Sequence, residues 1–305
     1  MKLIKLASIT KKLCIGALGA FLLIFLPFHM GMNLCILRED GGEWYRNVCH
    51  FMGTNYIVKV FEVILLACIV LHIVVTLLVT LENYLARPVR YEIANKSKTG
   101  AGSKYMAITG AILLVFLVIH FVDFYFAKTG WVEGKYVVKV EKVERYYQEK
   151  QMKIYSNLKT KMEKGLLSQD DVQNAPEYKE LMELQSSAMN FQVLSQEKIS
   201  TDGKYLVNLT KADVDKNFAK DFKEYEPDFY NMAKEKFKNP IYMLIYMLAF
   251  IILGIHLYHG VASVFQTYGL NVKKYSKAID YLALIYAIVI PVGFALVPII
   301  GHISK

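Results

Sequence analysis

Seven histidines occur in the 305-residue chain, and four of them, His29, His72, His120 and His256, fall one each in the first four of its long apolar stretches. An ionisable group in such a stretch is costly to desolvate and tends to mark function. A helix rises 1.5 Å per residue, so spacing converts to depth. His29 lies 17 residues beyond Lys12 and His120 lies 16 beyond Lys104, which sets both about 25 Å from one boundary. The second and fourth stretches run the other way. His72 is 17 residues past Asn55 and His256 is 16 past Pro240, about 25 Å from the opposite boundary. Two imidazole pairs at two heights are what two haem b groups require, because each macrocycle takes axial ligands from different helices on its two faces. The alternative for each is a structural histidine hydrogen-bonded to a neighbouring helix. His259, three residues after His256, is a second candidate in the fourth stretch. Gly260, four residues after His256, favours His256, since a missing side chain lets a porphyrin lie against the helix. His50 and His302 receive no assignment.

The elements that would position these groups follow from composition. Apolar residues make up 54% of the chain, against roughly 45 to 50% in soluble proteins. They cluster near 13–37, 56–81, 104–128, 241–268 and 278–301, each long enough as a helix to cross a hydrocarbon core of about 30 Å. Continuous runs of this kind exclude a transmembrane β-barrel, whose strands alternate. The pattern predicts an all-α membrane protein: five transmembrane helices in a bundle, with a largely helical extramembrane insertion between the third and fourth. Residues 1–129 hold spans one to three, 130–239 the insertion, and 240–305 spans four and five.

The net charge is 36 − 27 = +9, and nothing calls for nucleic acid. Lysine and arginine crowd one alternate set of short connections, twelve against three. This predicts an inner amino terminus and an outer carboxyl terminus. The first span exceeds a signal-peptide core and is expected to be retained. Within the insertion, residues 136–164 show near-helical apolar spacing, while Ser168–Asp171 and Thr210–Asp213 resemble capping boxes and Asp202-Gly203 marks a turn. Two to four helices are expected there, serving as a partner platform, a cap over a site, or an accessory without chemistry. No catalytic motif appears in it. The four cysteines form no CxxC pair, which leaves out a zinc ribbon or covalent haem. Cys35 and Cys49 share the first outer loop and are either a disulfide or two thiols.

Several segments together resemble the cytochrome b membrane anchor of succinate dehydrogenase and fumarate reductase, the five-helix, two-haem, menaquinone-linked type. They are His29-Met-Gly-Met-Asn33-Leu34; Glu62 ten residues before His72; Asn83-Tyr-Leu-Ala-Arg87-Pro88 with Lys96-Ser-Lys-Thr-Gly100; His120-Phe-Val-Asp-Phe124; and His256-Leu-Tyr-His-Gly260 running on to Gly269. The fourth-span motif is the most specific. The insertion is longer and more polar than the family's usual connection, and Gly254 stands where some fumarate reductases carry a glutamate. The resemblance implies two haems b, with His72 and His256 on the inner and His29 and His120 on the outer. It also implies menaquinone or menaquinol as substrate, and a flavoprotein and an iron–sulfur subunit as cytoplasmic partners. The chain would sit in a bacterial inner membrane and, in some complexes, form a dimer. The dicarboxylate chemistry would lie on the partners, since this chain shows no motif for it.

Rival readings are the cytochrome b of another quinone-linked oxidoreductase and a transporter whose histidines relay protons or bind a metal. Under the haem reading, propionate partners would be Asn83 and Arg87, beyond His72, and Ser263 and Gln266, inward of His256. Arg87 is alternatively a simple inner-face anchor. Glu62, Asn33 and Asp123 are candidates for an outer quinone site, where proton transfer needs a titratable group or donor. Lys59 could instead neutralise Glu62, and Asp123 could simply hydrogen-bond a neighbouring helix.

Overall fold

The computed structural model describes residues 8–86, 101–169 and 171–303. Five helices are long and apolar enough to cross a membrane. They are α1 (Ser8–Leu34), α3 (Tyr56–Leu85), the segment begun by α4 (Ala101–His120), α10 (Pro240–Thr267) and α11 (Ser276–Ile303). The protein is an α-helical, multi-pass membrane protein. The chain forms two compact units, one of residues 1–120 with 233–305 and the other of residues 121–232.

Local chemistry starts these helices where it should. The Asn55 side chain accepts the Ile57 and Val58 amides ahead of α3. Asn239 accepts the Ile241 amide, with Pro240 preset in the first turn of α10. None of the residues of α3 is buried, so its apolar surface faces lipid rather than a protein core. In the membrane unit α10 packs most extensively on α11, then on α4, and α1 bridges α3, α10 and α11. A short helix not foreseen from sequence, α2 (Glu43–Thr54), occupies the connection between α1 and α3. Cys35 and Cys49 remain thiols there, with no bridge between them.

Three prolines lie inside helices, Pro27 in α1 and Pro291 and Pro298 in α11. Each lacks the N–H that would bond the carbonyl four residues earlier, and bilayer interiors tolerate this only where a neighbour repairs it. The carbonyl freed by Pro291 is that of Ala287. Gly254 of α10 lies so close to it that a Cβ there would stand 2.8 Å from the Ala287 oxygen. Position 254 is therefore glycine for want of space.

The third span, Tyr105–Thr129, ends where the sequence placed its end; within it the regular helix ends on His120 and passes into a π-helical turn, Phe121–Tyr125, followed by α5 (Phe126–Thr129), and the second compact unit starts at that turn. Gly130, in the left-handed region at φ 76°, ends that run. The unit holds α6 (Val140–Glu163), α7 (Pro176–Lys198), α8 (Lys211–Asn217) and the start of α9 (Phe229–Lys238). It also holds an unpredicted antiparallel sheet in the order β2-β1-β3, from β1 (Tyr136–Lys139), β2 (Tyr205–Leu209) and β3 (Glu226–Pro227). Strands this short give too little alternation to separate from a helix by sequence pattern. Val143, Tyr147, Ile154 and Leu158 of α6 meet Leu181, Leu184, Phe191 and Leu194 of α7 over Leu206 and Leu209 in a core of the unit's own. Thr210 and Asp213 form the expected capping box. Ser168 and Asp171 do pair, through an Oγ to Oδ2 bond of 2.7 Å, but they precede only a single 3-10 turn, Val172–Asn174.

Two outcomes are expected. Gly254→Ala should destabilise the membrane unit by about 1–3 kcal/mol through overpacking on backbone, lowering the thermal midpoint in detergent. Gly53→Ala, where a Cβ meets nothing within 4 Å among the described residues, should not lower it. In the second unit, burial alone would raise the Asp213 carboxyl, but bonds from Lys198 Nζ at 2.7 Å and from Thr210 outweigh it and hold the pKa at about 2. Because that lies below the unfolded value of about 3.9, the contribution is complete above about pH 4 and is lost as pH falls through about 2. Protection factors of the α8 amides should fall over that window in the parent chain and show no such step in Asp213→Asn.

Candidate functional site

The four histidines predicted to matter all project within the membrane unit. His29 of α1 and His120 of α4 come together, with ring centroids 5.9 Å apart and planes at 82°. Aromatic rings from four helices enclose them. Phe25 stacks on His29 at 5.1 Å, Phe294 of α11 lies 5.5 Å from it, Phe116 stacks on His120 at 5.9 Å, and Tyr246 of α10 lies 6.4 Å from His120. Phe250 then joins Phe116 to Phe294. The result is a largely aromatic box around the two imidazoles, with the Tyr246 hydroxyl as a further polar group.

At the other level the environment is made by small residues. A Cβ on Gly19 of α1 would touch His72 Cε1 at 3.7 Å, and one on Gly110 of α4 would touch His256 Cε1 at 3.6 Å. Both imidazoles thus lie within ordinary contact distance of a glycine on a neighbouring helix. His72 is within electrostatic reach of His256. The Nδ1 of His72 is buried with no hydrogen-bond partner among the described residues, a costly condition in an apolar interior.

His256 differs, for its Nδ1 lies 3.1 Å from Thr109 Oγ1, and that hydroxyl lies 3.1 Å from the Met106 carbonyl. A hydroxyl has one proton. If it is donated to Met106, Nδ1 of His256 must be the donor to Thr109, which leaves the lone pair on Nε2. His259 points elsewhere, lining a groove between α10 and α11. Of the two candidates in this helix, His256 is the one turned into the bundle.

Haem takes one imidazole on each face, and the 5.9 Å between the His29 and His120 rings would leave room for a group between them. At the other level the Thr109 hydroxyl would hold His256 for ligation through Nε2, whereas His72 Nδ1 lacks the second bond a ligating imidazole usually makes. Gly260 adds open space, since a Cβ there would meet nothing within 4 Å among the described residues.

The other candidates are scattered. Asn33 lies beside His29, donating to its carbonyl at 2.8 Å and reaching to within 3.4 Å of its Nδ1. Tyr45 of α2 donates to Asn33 at 3.5 Å, so that connecting helix closes onto this corner. Glu62 is half-buried on α3, next to Phe61, whose ring meets Phe21 of α1 at 5.3 Å. Asp123 is buried in the π-helical turn. Asn83, Ser263 and Gln266 are exposed, while Arg87 and the segment 96–100 lie outside the described residues.

Sequence reasoning missed Tyr45, Thr109 and the ion pair of Lys11 with Glu82, at 2.7 Å with both side chains largely buried. Glu82 was the available signal, because a carboxylate at the end of an apolar span needs a partner. It also missed Tyr286. Its hydroxyl donates to the Leu23 carbonyl, the one freed by Pro27, and so repairs the hydrogen bonding of α1 where that proline, two residues before His29, interrupts it.

Compared with family models, curated proteins and solved structures, the chain finds no match in any of the three.

The pairing of Tyr286 with a proline-freed carbonyl predicts an unusual double-mutant cycle. Tyr286→Phe should cost about 1–3 kcal/mol by leaving a buried acceptor bare. Adding Pro27→Ala should recover most of that loss, because residue 27 then supplies the missing N–H. Denaturant unfolding of both single variants and the double variant measures the coupling.

Proposed function

We propose that the protein is a dihaem cytochrome b, the membrane subunit of a succinate dehydrogenase or fumarate reductase complex. The observation that carries this reading is the edge-on pairing of His29 and His120 at 5.9 Å inside a ring of aromatic side chains. Among the described residues no three His, Cys, Asp or Glu side chains gather into a group able to hold a metal ion. A bare cation usually asks for three or four protein ligands, whereas haem asks for one on each face. That contrast favours haem over a metal-transport site.

In this reading His29 and His120 hold the outer haem and His72 and His256 the inner one. When bound, each haem supplies a reversible one-electron step. The chain's own residues do the rest. Thr109 fixes the tautomer and orientation of His256, and Asn33, backed by Tyr45, borders His29. Phe25, Phe116, Tyr246, Phe250 and Phe294 keep water from the outer pair, lowering the local dielectric in which charge on the group is felt. Protons exchanged with menaquinone or menaquinol would be handled in the membrane unit, with Glu62 and Asn33 as the candidates. The lysine-rich connections would face the cytoplasm of a bacterial inner membrane, with the amino terminus inside. There they would meet the flavoprotein and iron–sulfur subunits that carry the dicarboxylate chemistry.

The test is the pyridine haemochrome content and reduced-minus-oxidised spectrum of the purified protein. Two noncovalent haems b per chain are expected. His72→Ala and His256→Ala should remove the same spectral component, and His29→Ala and His120→Ala the other. Thr109→Val should keep both haems but shift the midpoint of the component assigned to His256. A haem-free preparation overturns the reading, and loss of a haem in His259→Ala with retention in His256→Ala overturns the ligand assignment.

A further inference from the structure

The groove between α10 and α11 plays no part in the haem reading. It has a volume of about 430 Å³, and its walls include Ile251, Ile255 and His259 from α10 and Leu284, Ile288 and Val292 from α11. The wall residues of each helix recur at helical spacing and therefore form stripes that can be followed beyond the groove. On α10 the stripe continues from Ile255 through His259 to Ser263 and Gln266, both exposed. On α11 it runs back from Leu284 through Tyr281, 66% exposed, to Lys277 in the first turn. The loop joining the two helices adds exposed Lys273 and Lys274, the latter 5.2 Å above the Tyr275 ring. Asp280 is the one carboxylate in that stretch.

Polarity thus changes in one direction along this face, from cations at the connection, through hydroxyl, amide and imidazole groups, to a purely apolar trough about 13 Å long between Phe250 and His259. A surface turned only to hydrocarbon has no use for exposed Ser263 and Gln266, and a helix–helix contact would bury the trough. The gradient is that of an amphiphile with an anionic head. Clustered lysines between transmembrane helices attract lipid phosphate, and the amino-terminal end of α11 adds its own positive end to theirs.

We propose that this face binds one anionic phospholipid. Its phosphate is held by Lys273, Lys274 and Lys277, its ester region lies along Gln266, Ser263, Tyr281 and His259, and one acyl chain is seated in the trough. The assignment needs only a membrane around the chain and stands whether or not the histidines carry haem.

The experiment uses the full chain reconstituted in nanodiscs of equal phosphatidylglycerol and phosphatidylethanolamine, then released into mild detergent for native mass spectrometry. One phosphatidylglycerol per chain is expected, retained at least tenfold over phosphatidylethanolamine. The exposed triple variant Lys273→Gln, Lys274→Gln, Lys277→Gln should lose that preference. Leu284→Trp, which fills the trough, should lower retention tenfold, while Leu77→Trp on lipid-facing α3 should not. Equal retention of the two lipids, an unchanged triple variant, or a neutral quinone in place of the phospholipid overturns the proposal. Retention that survives Leu284→Trp overturns the trough as the seat of the chain. If Leu284→Trp does not fold, the lysine variant decides alone.

Discussion

Water is missing from the interior of a bilayer, and the membrane unit is organised around that shortage. Every polar group at depth needs an answer from the chain itself. The carbonyl freed by Pro27 is answered by the Tyr286 hydroxyl, and the one freed by Pro291 is covered by the backbone of Gly254. Lys11 answers Glu82 across α1 and α3. Each of these ties one helix to another, so helices without a hydrophobic force between them are held in a defined register.

The histidines are where the same rule is answered least by the protein. Thr109 serves one nitrogen of His256, and Asn33 lies near one of His29, but a buried nitrogen of His72 finds nothing among the described residues. Four imidazoles in two zones, one lined by aromatics and the other by glycines, are a large polar load for a bundle otherwise careful with polar groups. A group bonded through the opposite ring nitrogens, Nε2, would discharge part of it. That load stands beside the pairing of His29 with His120 as support for the haem proposal.

The spans and the depths of the histidines were legible in sequence because both depend on local periodicity and a fixed rise per residue. The meeting of His29 with His120 followed from their common depth. The side chains around them did not follow, since Thr109, Tyr45 and Phe294 reach the histidines from other helices and nothing in their own neighbourhoods advertises it. Gly260 put His256 ahead of His259 in the sequence, and in the fold His256 is the one that meets α4, through Thr109. The small sheet escaped because β1 spans four residues and β3 two. Asn83, Ser263 and Gln266, offered as propionate partners from helical spacing, all have exposed side chains.

The contact of Gly254 with the Ala287 carbonyl restricts the order in which this sequence could have changed. The clash is with the Ala287 backbone, so any side chain at 254 strikes it whatever residue stands at 291, and a descendant gaining a functional group there would first have to displace α11. A side chain at 254 is therefore expected only in descendants that have also changed the residues setting the spacing of α10 and α11, although 254 and 287 are 33 residues apart and neither carries a reactive group.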